Sequence, residues 1–271
     1  MSKVINVDLS HAVPQIFKRP HLSVLSDSTL MQIAPFMAIG PQIFVDGLIV
    51  TQEEKPIGIV TSKHVLNAII NYKYPDCLKI SASQIMDNTG GALETDEPLS
   101  RAIEIFNRTS IAFLPITRSG SVVASLSIRD LLPLIATSTI DVPIKDISSP
   151  LILLSRDTNL KAALDILFQK KIRNIITVGS DDNYYVINDR KILEFLFSEE
   201  GRKILSTFDS GIEGIQIDVM NKLPTVKVDD STNLSKAAEL LMDLNTPCLL
   251  LNHSIVTPWD IIMKTIETCP I

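Results

Sequence analysis

Apolar positions recur along the chain in four sets with helical spacing. Leu30, Ile33, Ala34 and Met37 stand at i, i+3, i+4 and i+7. Leu99, Ala102, Ile103 and Phe106 repeat the pattern, as do Leu160, Ala163, Leu164 and Leu167, and then Leu234, Ala237, Ala238 and Leu241. At 3.6 residues per turn each set forms one apolar stripe on a helix. Asp27, Asp96, Asp157 and Ser231 stand three residues before the leading leucines, and such residues cap free backbone N–H groups at helix starts. Pro98 falls in a first turn, where proline is tolerated, whereas Pro35 falls inside its stripe and predicts a short or bent helix.

Two short apolar runs follow each stripe: 47–50 and 57–60, 111–116 and 122–126, 172–178 and 184–187, and 248–251 and 254–256. Runs rich in Val and Ile between polar or glycine turns predict buried strands. A second helix is expected after each pair, at 64–71, 130–135, 191–197 and 260–266, and short strands at 92–94 and 152–154 precede two of the stripes. The unit is therefore strand, helix, strand, strand, helix. One such unit cannot bury both faces alone, so units are expected to pair. The first is expected to pair with the second and the third with the fourth, each pair burying its own stripes. A linker between residues 138 and 143 would then separate two halves that fold independently.

The junction between the last strand and the second helix also repeats. It reads Gly58-Ile-Val-Thr-Ser-Lys-His64, Ala124-Ser-Leu-Ser-Ile-Arg-Asp130, Tyr185-Val-Ile-Asn-Asp-Arg-Lys191 and Ser254-Ile-Val-Thr-Pro-Trp-Asp260. The fourth residues of these stretches are 66, 61 and 69 positions apart.

Composition narrows the reading without changing it. The 271 residues are 45% hydrophobic and 21% charged, with a net charge of −6, which allows a sizeable core and argues against wholesale disorder. Up to Ser138 there are 11 basic and 12 acidic residues, and from Thr139 onward 14 and 19, so neither half has the basic excess of a general phosphate-backbone binder. Cys77, Cys248 and Cys269 are too far apart for a disulfide framework or a metal clip, which suggests a reducing compartment. His11, His21 and His253 are too scattered to suggest a metal site. The first residues hold no apolar run of signal-peptide type, and the greasy stretch from 33 to 50 is broken by Pro35, Pro41, Asp46 and Gly47, so no membrane span is expected. No GxSxG, HExxH, P-loop or GxGxxG motif is present.

The junction resembles the end motif of the cystathionine-β-synthase (CBS) domain, Gly-h-h-Thr/Ser-x-x-Asp with h apolar. Phe113-Leu114-Pro115-Ile116 resembles the family's h-h-Pro-h strand, and the stretch from Ala82 to Met86 its lead-in to a new repeat. The resemblance spans residues 23–267 and implies an α/β fold of four tandem CBS repeats, forming two CBS pairs in a flat pseudo-symmetric disk. That arrangement is similar to the gamma subunit of AMP-activated protein kinase and to archaeal four-repeat proteins. The expected organisation is an N-terminal arm at 1–22, a degenerate first repeat at 23–74, a second at 75–138, a third at 139–197, a connector at 198–214 and a fourth at 215–271.

The resemblance implies a regulatory, non-catalytic module that binds AMP, ADP, ATP or S-adenosylmethionine in the clefts of the pairs. No metal would be needed. Hydroxyl and carboxylate of the motif would meet the ribose hydroxyls, since a carboxylate accepts two hydrogen bonds from a cis-diol. The second repeat keeps both groups as Ser127 and Asp130, and the fourth as Thr257 and Asp260. The first keeps Thr61 but has His64 for the acid, and the third has Asn188 and Lys191, which would bind no diol. Arg173 stands where the family carries a phosphate-directed cation, Leu114 and Pro115 lie on the apolar strand, and Trp259 could pack on a base. The simpler alternative is local: Ser/Thr-x-x-Asp before an apolar run is also a capping box, contributing about 1 kcal/mol with no ligand. Arg173 is equally a surface residue, and His64 and Trp259 first-turn residues. The expected setting is cytoplasmic, with a separate regulated protein partner, room for a homodimer, and neither membrane nor nucleic acid involved. The rival readings are a protein-interaction scaffold with vacant sites and a nucleic-acid-linked regulator, the latter disfavoured by charge.

Overall fold

The computed structural model describes residues 6–38, 45–72, 74–207 and 211–268. Each repeat builds one small sheet by the same rule. A short lead strand runs parallel to the first strand of a hairpin, whose second strand returns antiparallel. In the first repeat these strands are Ser23–Leu25, Leu48–Gln52 and Lys55–Val60, and in the second Leu93–Glu94, Phe113–Arg118 and Ser121–Ser127. The third uses Leu153–Leu154, Asn174–Val178 and Tyr184–Asn188, and the fourth Val226–Lys227, Leu249–Leu250 and Ser254–Val256.

Within a pair, the segment that leads into one repeat crosses to the sheet of the other. Ser149–Pro150, ahead of the third repeat, is the edge strand of the fourth repeat's sheet, and Leu223–Pro224, ahead of the fourth, adds to the third's. The first pair does the same more loosely. Ile59 bridges Asp87, and the segment Pro14–Lys18 packs on strand Ser121–Ser127. Gly58, which opens the first junction, makes its crossing possible: a Cβ there would stand 2.8 Å from the Met86 sulfur and 2.9 Å from the Asp87 carbonyl. The sheets of each pair then face one another. Ile49, Ile59 and Phe113 close the first contact, and Ile176, Val186, Cys248, Leu250 and Ile255 the second.

The helices behave differently from the sequence-based expectation. The stripes do form, on Leu30–Ala38, Leu99–Thr109, Leu160–Gln169 and Leu234–Asp243. They are not buried pair by pair. Helices Leu30–Ala38 and Ser62–Asn71 of the first repeat pack on Asp189–Leu196 of the third. Leu132–Ala136 of the second packs on Leu234–Asp243 of the fourth. One core therefore joins repeats one and three, and another joins two and four with the N-terminal segment. Each sheet can cover only one side of its helices, so the second apolar side of each helical layer turns to the other pair. Only Ile103 leaves the predicted stripe: it is half-buried, and Ile105 is buried instead.

The caps also shift. Asn159 and Asn233, one residue before their leading leucines, accept from the N–H groups of Ala162 and Lys236, so the more distant Asp157 and Ser231 do not cap. An Ncap side chain reaches the N–H two or three residues on, which places it next to the first helical residue. Pro98 likewise precedes its helix, and Pro35 is accommodated inside Leu30–Ala38 with all four stripe residues buried. The connector forms a helix, Glu199–Thr207, followed by a short turn. Among the described residues no helix is long and apolar enough to cross a membrane.

Candidate functional site

Where the two pairs meet, they enclose a cavity of about 380 Å3 lined by all four repeats. That volume falls in the range of small-molecule sites. The junctions build it. Their sixth positions, one before the acid position, are Lys63, Arg129, Arg190 and Trp259, and all four side chains line the cavity. The strand–helix turn places these residues at helix N-termini, so they converge when the four repeats come together. With Lys171 and Arg173 the lining has five cationic side chains against the carboxylates of Asp46, Asp189 and Asp260. A protein of net charge −6 thus carries a locally cationic centre.

Burial shapes the charges there. It pulls the pKa of Lys63, Arg129 and Arg190 down, because the charged forms lose water. Arg173 is shifted up by Asp189, against burial, and Asp46 adds to the shift. Its Nε donates to Asp189 at 2.9 Å, and Nη1 lies 3.6 Å from Asp46 of the first repeat. Arg173 therefore ties repeat three to repeat one. Arg129 ties two to four, donating to the carbonyls of Leu241 at 3.0 Å and Thr246 at 3.2 Å, at the C-terminal end of helix Leu234–Asp243. A cation there also suits the negative end of the helix dipole.

Of the residues expected to bind ligand, the cavity brings together Thr61, His64, Arg173, Thr257, Trp259 and Asp260. Asp260 is 4% exposed, and its carboxylate is fully engaged. Oδ2 accepts from the Thr257 N–H at 2.9 Å and its hydroxyl at 2.7 Å, while Oδ1 accepts from the Ser149 hydroxyl at 2.6 Å and lies 3.2 Å from Lys264 Nζ. His64 takes the acid's place in the first junction. Its Nδ1 accepts the Thr61 N–H at 3.1 Å, which requires a neutral ring on that side, and burial lowers its pKa accordingly.

Ser127, Asp130, Leu114 and Pro115 lie outside this cavity. Leu114 is part of a hydrophobic core and Pro115 is buried in its strand. Asp130 completes a capping box, accepting the Ser127 N–H at 2.7 Å, and is held by Arg19 through two bonds of 2.7 and 2.6 Å. In the third junction Asn188 caps its helix and the buried Lys191 pairs with Glu194 at 2.7 Å. All four junctions therefore cap helices, as the local reading expects.

The sequence reading missed Lys63, Arg129, Lys171, Arg190 and Arg19. A signal for three of them was present, since the position before the acid is basic in three of four junctions. Cys77 and Cys248 are buried free thiols, and Cys269 lies outside the described residues. Among the described residues no cluster of His, Cys, Asp or Glu could hold a metal ion.

Residues 13–71 match the family model for the CBS domain. The fold is similar to that of protein MJ1225 from Methanocaldococcus jannaschii, described as a proposed archaeal homologue of gamma-AMPK. The two share 17% identity with a TM-score of 0.78, over 92% of this chain and 96% of that one. A conserved protein from Pyrococcus horikoshii is also similar, at 14% identity and a TM-score of 0.53, over 83% of this chain and 92% of that one. No curated protein matches the sequence.

Proposed function

From a chain that carries a CBS domain at residues 13–71 and folds as four tandem CBS repeats, we propose a regulatory module that binds an adenine nucleotide in the central cavity. The observation that carries this reading is the convergence of Lys63, Arg129, Lys171, Arg173 and Arg190 beside the Thr257–Asp260 pair in one cavity. Phosphate oxygens suit partly desolvated cations, whose buried charge an anion would compensate. The ribose would meet Asp260 in place of the Ser149 hydroxyl, an exchange of one O–H donor for another at Oδ1 with Lys264 Nζ kept 3.2 Å from that oxygen. Trp259 offers a face for the base. S-adenosylmethionine has a cationic sulfonium and is disfavoured by the same field. A ligand touching all four repeats would bias how the two pairs pack, and a partner protein would read that bias. The nucleotide is read as a signal and not as a substrate, in keeping with the regulatory reading of the fold.

Isothermal titration calorimetry with ATP, ADP, AMP and S-adenosylmethionine tests this. Affinity should rise with the number of phosphates and fall with added salt, and S-adenosylmethionine should bind more weakly than AMP. Asp260→Ala and Lys63→Ala should each weaken nucleotide binding by tenfold or more. Saturation at about 100 times the Kd should add roughly 2.7 kcal/mol of stability. Nucleotides that give no heat and no melting shift would favour the scaffold reading instead.

A further inference from the structure

In each pair, the segment leading into the first repeat reaches the acid of the second. In the second pair this contact is the neutral Ser149 hydroxyl on Asp260, at 2.6 Å. In the first pair it is a guanidinium. Arg19 Nη1 and Nη2 grip Asp130 Oδ1 and Oδ2 at 2.7 and 2.6 Å, Nη2 also donates to the Ser125 carbonyl at 3.2 Å, and Gln15 donates to the Asp130 carbonyl at 3.0 Å. We propose that the N-terminal segment is an internal occupant of the second repeat's carboxylate, and that Arg19 closes this position to a ribose-bearing ligand. The proposal rests on the reading of the hydroxyl–acid pair as a diol acceptor.

Two features make this a gate. The segment is anchored: Leu9, Val13 and Ile16 are fully buried in the core shared by repeats two and four, and the Leu9 N–H and Val7 carbonyl bond the backbone at Glu97 and Leu99. The closing group is not anchored. Lys18, Arg19 and Pro20 are exposed, and the Arg19 side chain is 45% exposed while Asp130 is 8% exposed. The guanidinium can therefore swing into water without unpacking Leu9–Ile16. Both carboxylate oxygens are taken by a bidentate, charge-matched partner, so a neutral diol must displace a stronger contact than itself. At Asp260 the lead-in segment supplies only a serine hydroxyl to Oδ1, and the cation there, Lys264 Nζ at 3.2 Å, lies beside that one oxygen and does not bridge both.

The test is calorimetric titration of AMP into the wild type, Arg19→Ala, Arg19→Gln, Asp130→Ala and Arg19→Ala/Asp130→Ala, with far-UV dichroism confirming that each is folded. Replacing Arg19 should raise the stoichiometry by one site, and the double variant should lose that site again. Asp130→Ala alone should leave the wild-type stoichiometry unchanged. Unchanged stoichiometry in both Arg19 variants, with the central site still binding, overturns the gate and leaves the proposed function standing. Loss of a site in Asp130→Ala also overturns the gate. A wild type that binds no AMP, beside an Arg19→Ala variant that gains one Asp130-dependent site, supports the gate and rejects the central-cavity reading. No binding by any variant rejects both.

Discussion

The second and fourth repeats carry the same hydroxyl–acid pair in the same turn, yet their acids live in different surroundings. Asp260 lines the central cavity with its Oδ1 on a serine hydroxyl, while Asp130 lies outside that cavity under a bidentate arginine. Both acids accept the backbone N–H of the hydroxyl residue three positions before them, although a 3-10 turn follows in one repeat and a π-helical turn in the other, so the capping contact does not separate them. The difference comes from the lead-in segment that crosses over each acid. Ser149 and Arg19 stand 111 positions before the acids they meet. A motif conserves the local geometry of an acid, and its partner decides whether that acid is available. The first junction adds a third case, in which a neutral imidazole does the capping that a carboxylate does elsewhere.

The largest expected effect comes from separating the two acids onto two polypeptides. Fragments divided between residues 138 and 143 would each expose their share of both helical cores, since each core draws on both pairs. Neither fragment should fold alone, and co-expression should restore a folded complex. Two soluble fragments with cooperative melts would show instead that the pairs are self-sufficient, as the sequence pattern by itself suggests. Next in size, Ser149→Arg should impose on Asp260 the condition found at Asp130. AMP affinity at the central cavity should fall by about tenfold or more, roughly 1.4 kcal/mol per factor of ten. Unchanged affinity in a folded Ser149→Arg protein would mean that lead-in residues do not control access.

The smallest effect concerns the imidazole. Burial lowers the folded-state pKa of His64 below its usual 6.5, so as pH falls the unfolded chain takes up the proton first. Above pH 6.5 the group leaves stability unchanged; below it stability declines until the folded pKa is passed, by at most about 1.4 kcal/mol per pH unit. Urea melts between pH 7 and 5 should show a shallower decline for His64→Gln than for the wild type. Parallel declines would mean that the ring is protonated in the fold, and that the Thr61 N–H is not capped by Nδ1.

Much of the fold was legible beforehand, and for a local reason. The stripe at Leu160, Ala163, Leu164 and Leu167 and the run at 184–187 follow periods that the backbone imposes over a few residues. The spacing points to Asp157 and Ser231, two residues before the actual caps, because both carry the same helix-start signal as Asn159 and Asn233, which do the work. Half of the candidate site was legible in the same way. Thr257, Asp260, Thr61 and His64 belong to a turn whose spacing repeats, and the basic residue before the acid repeats with them. Arg19 was invisible as a partner of Asp130, since nothing near Lys18-Arg19-Pro20 refers to residue 130.

The sequence by itself determined four strand–helix–strand–strand–helix units, their capped junctions and the residue types set at each turn, because hydrogen bonding and amphipathic spacing act within a few residues. Tertiary structure decided the rest: that helices bury their stripes across pairs, that Lys63, Arg129, Arg190 and Trp259 face one cavity, and that one acid meets a hydroxyl and the other a guanidinium. Those outcomes depend on how sheets and helices from distant segments pack, and side chains brought together by packing leave no periodic trace along the chain.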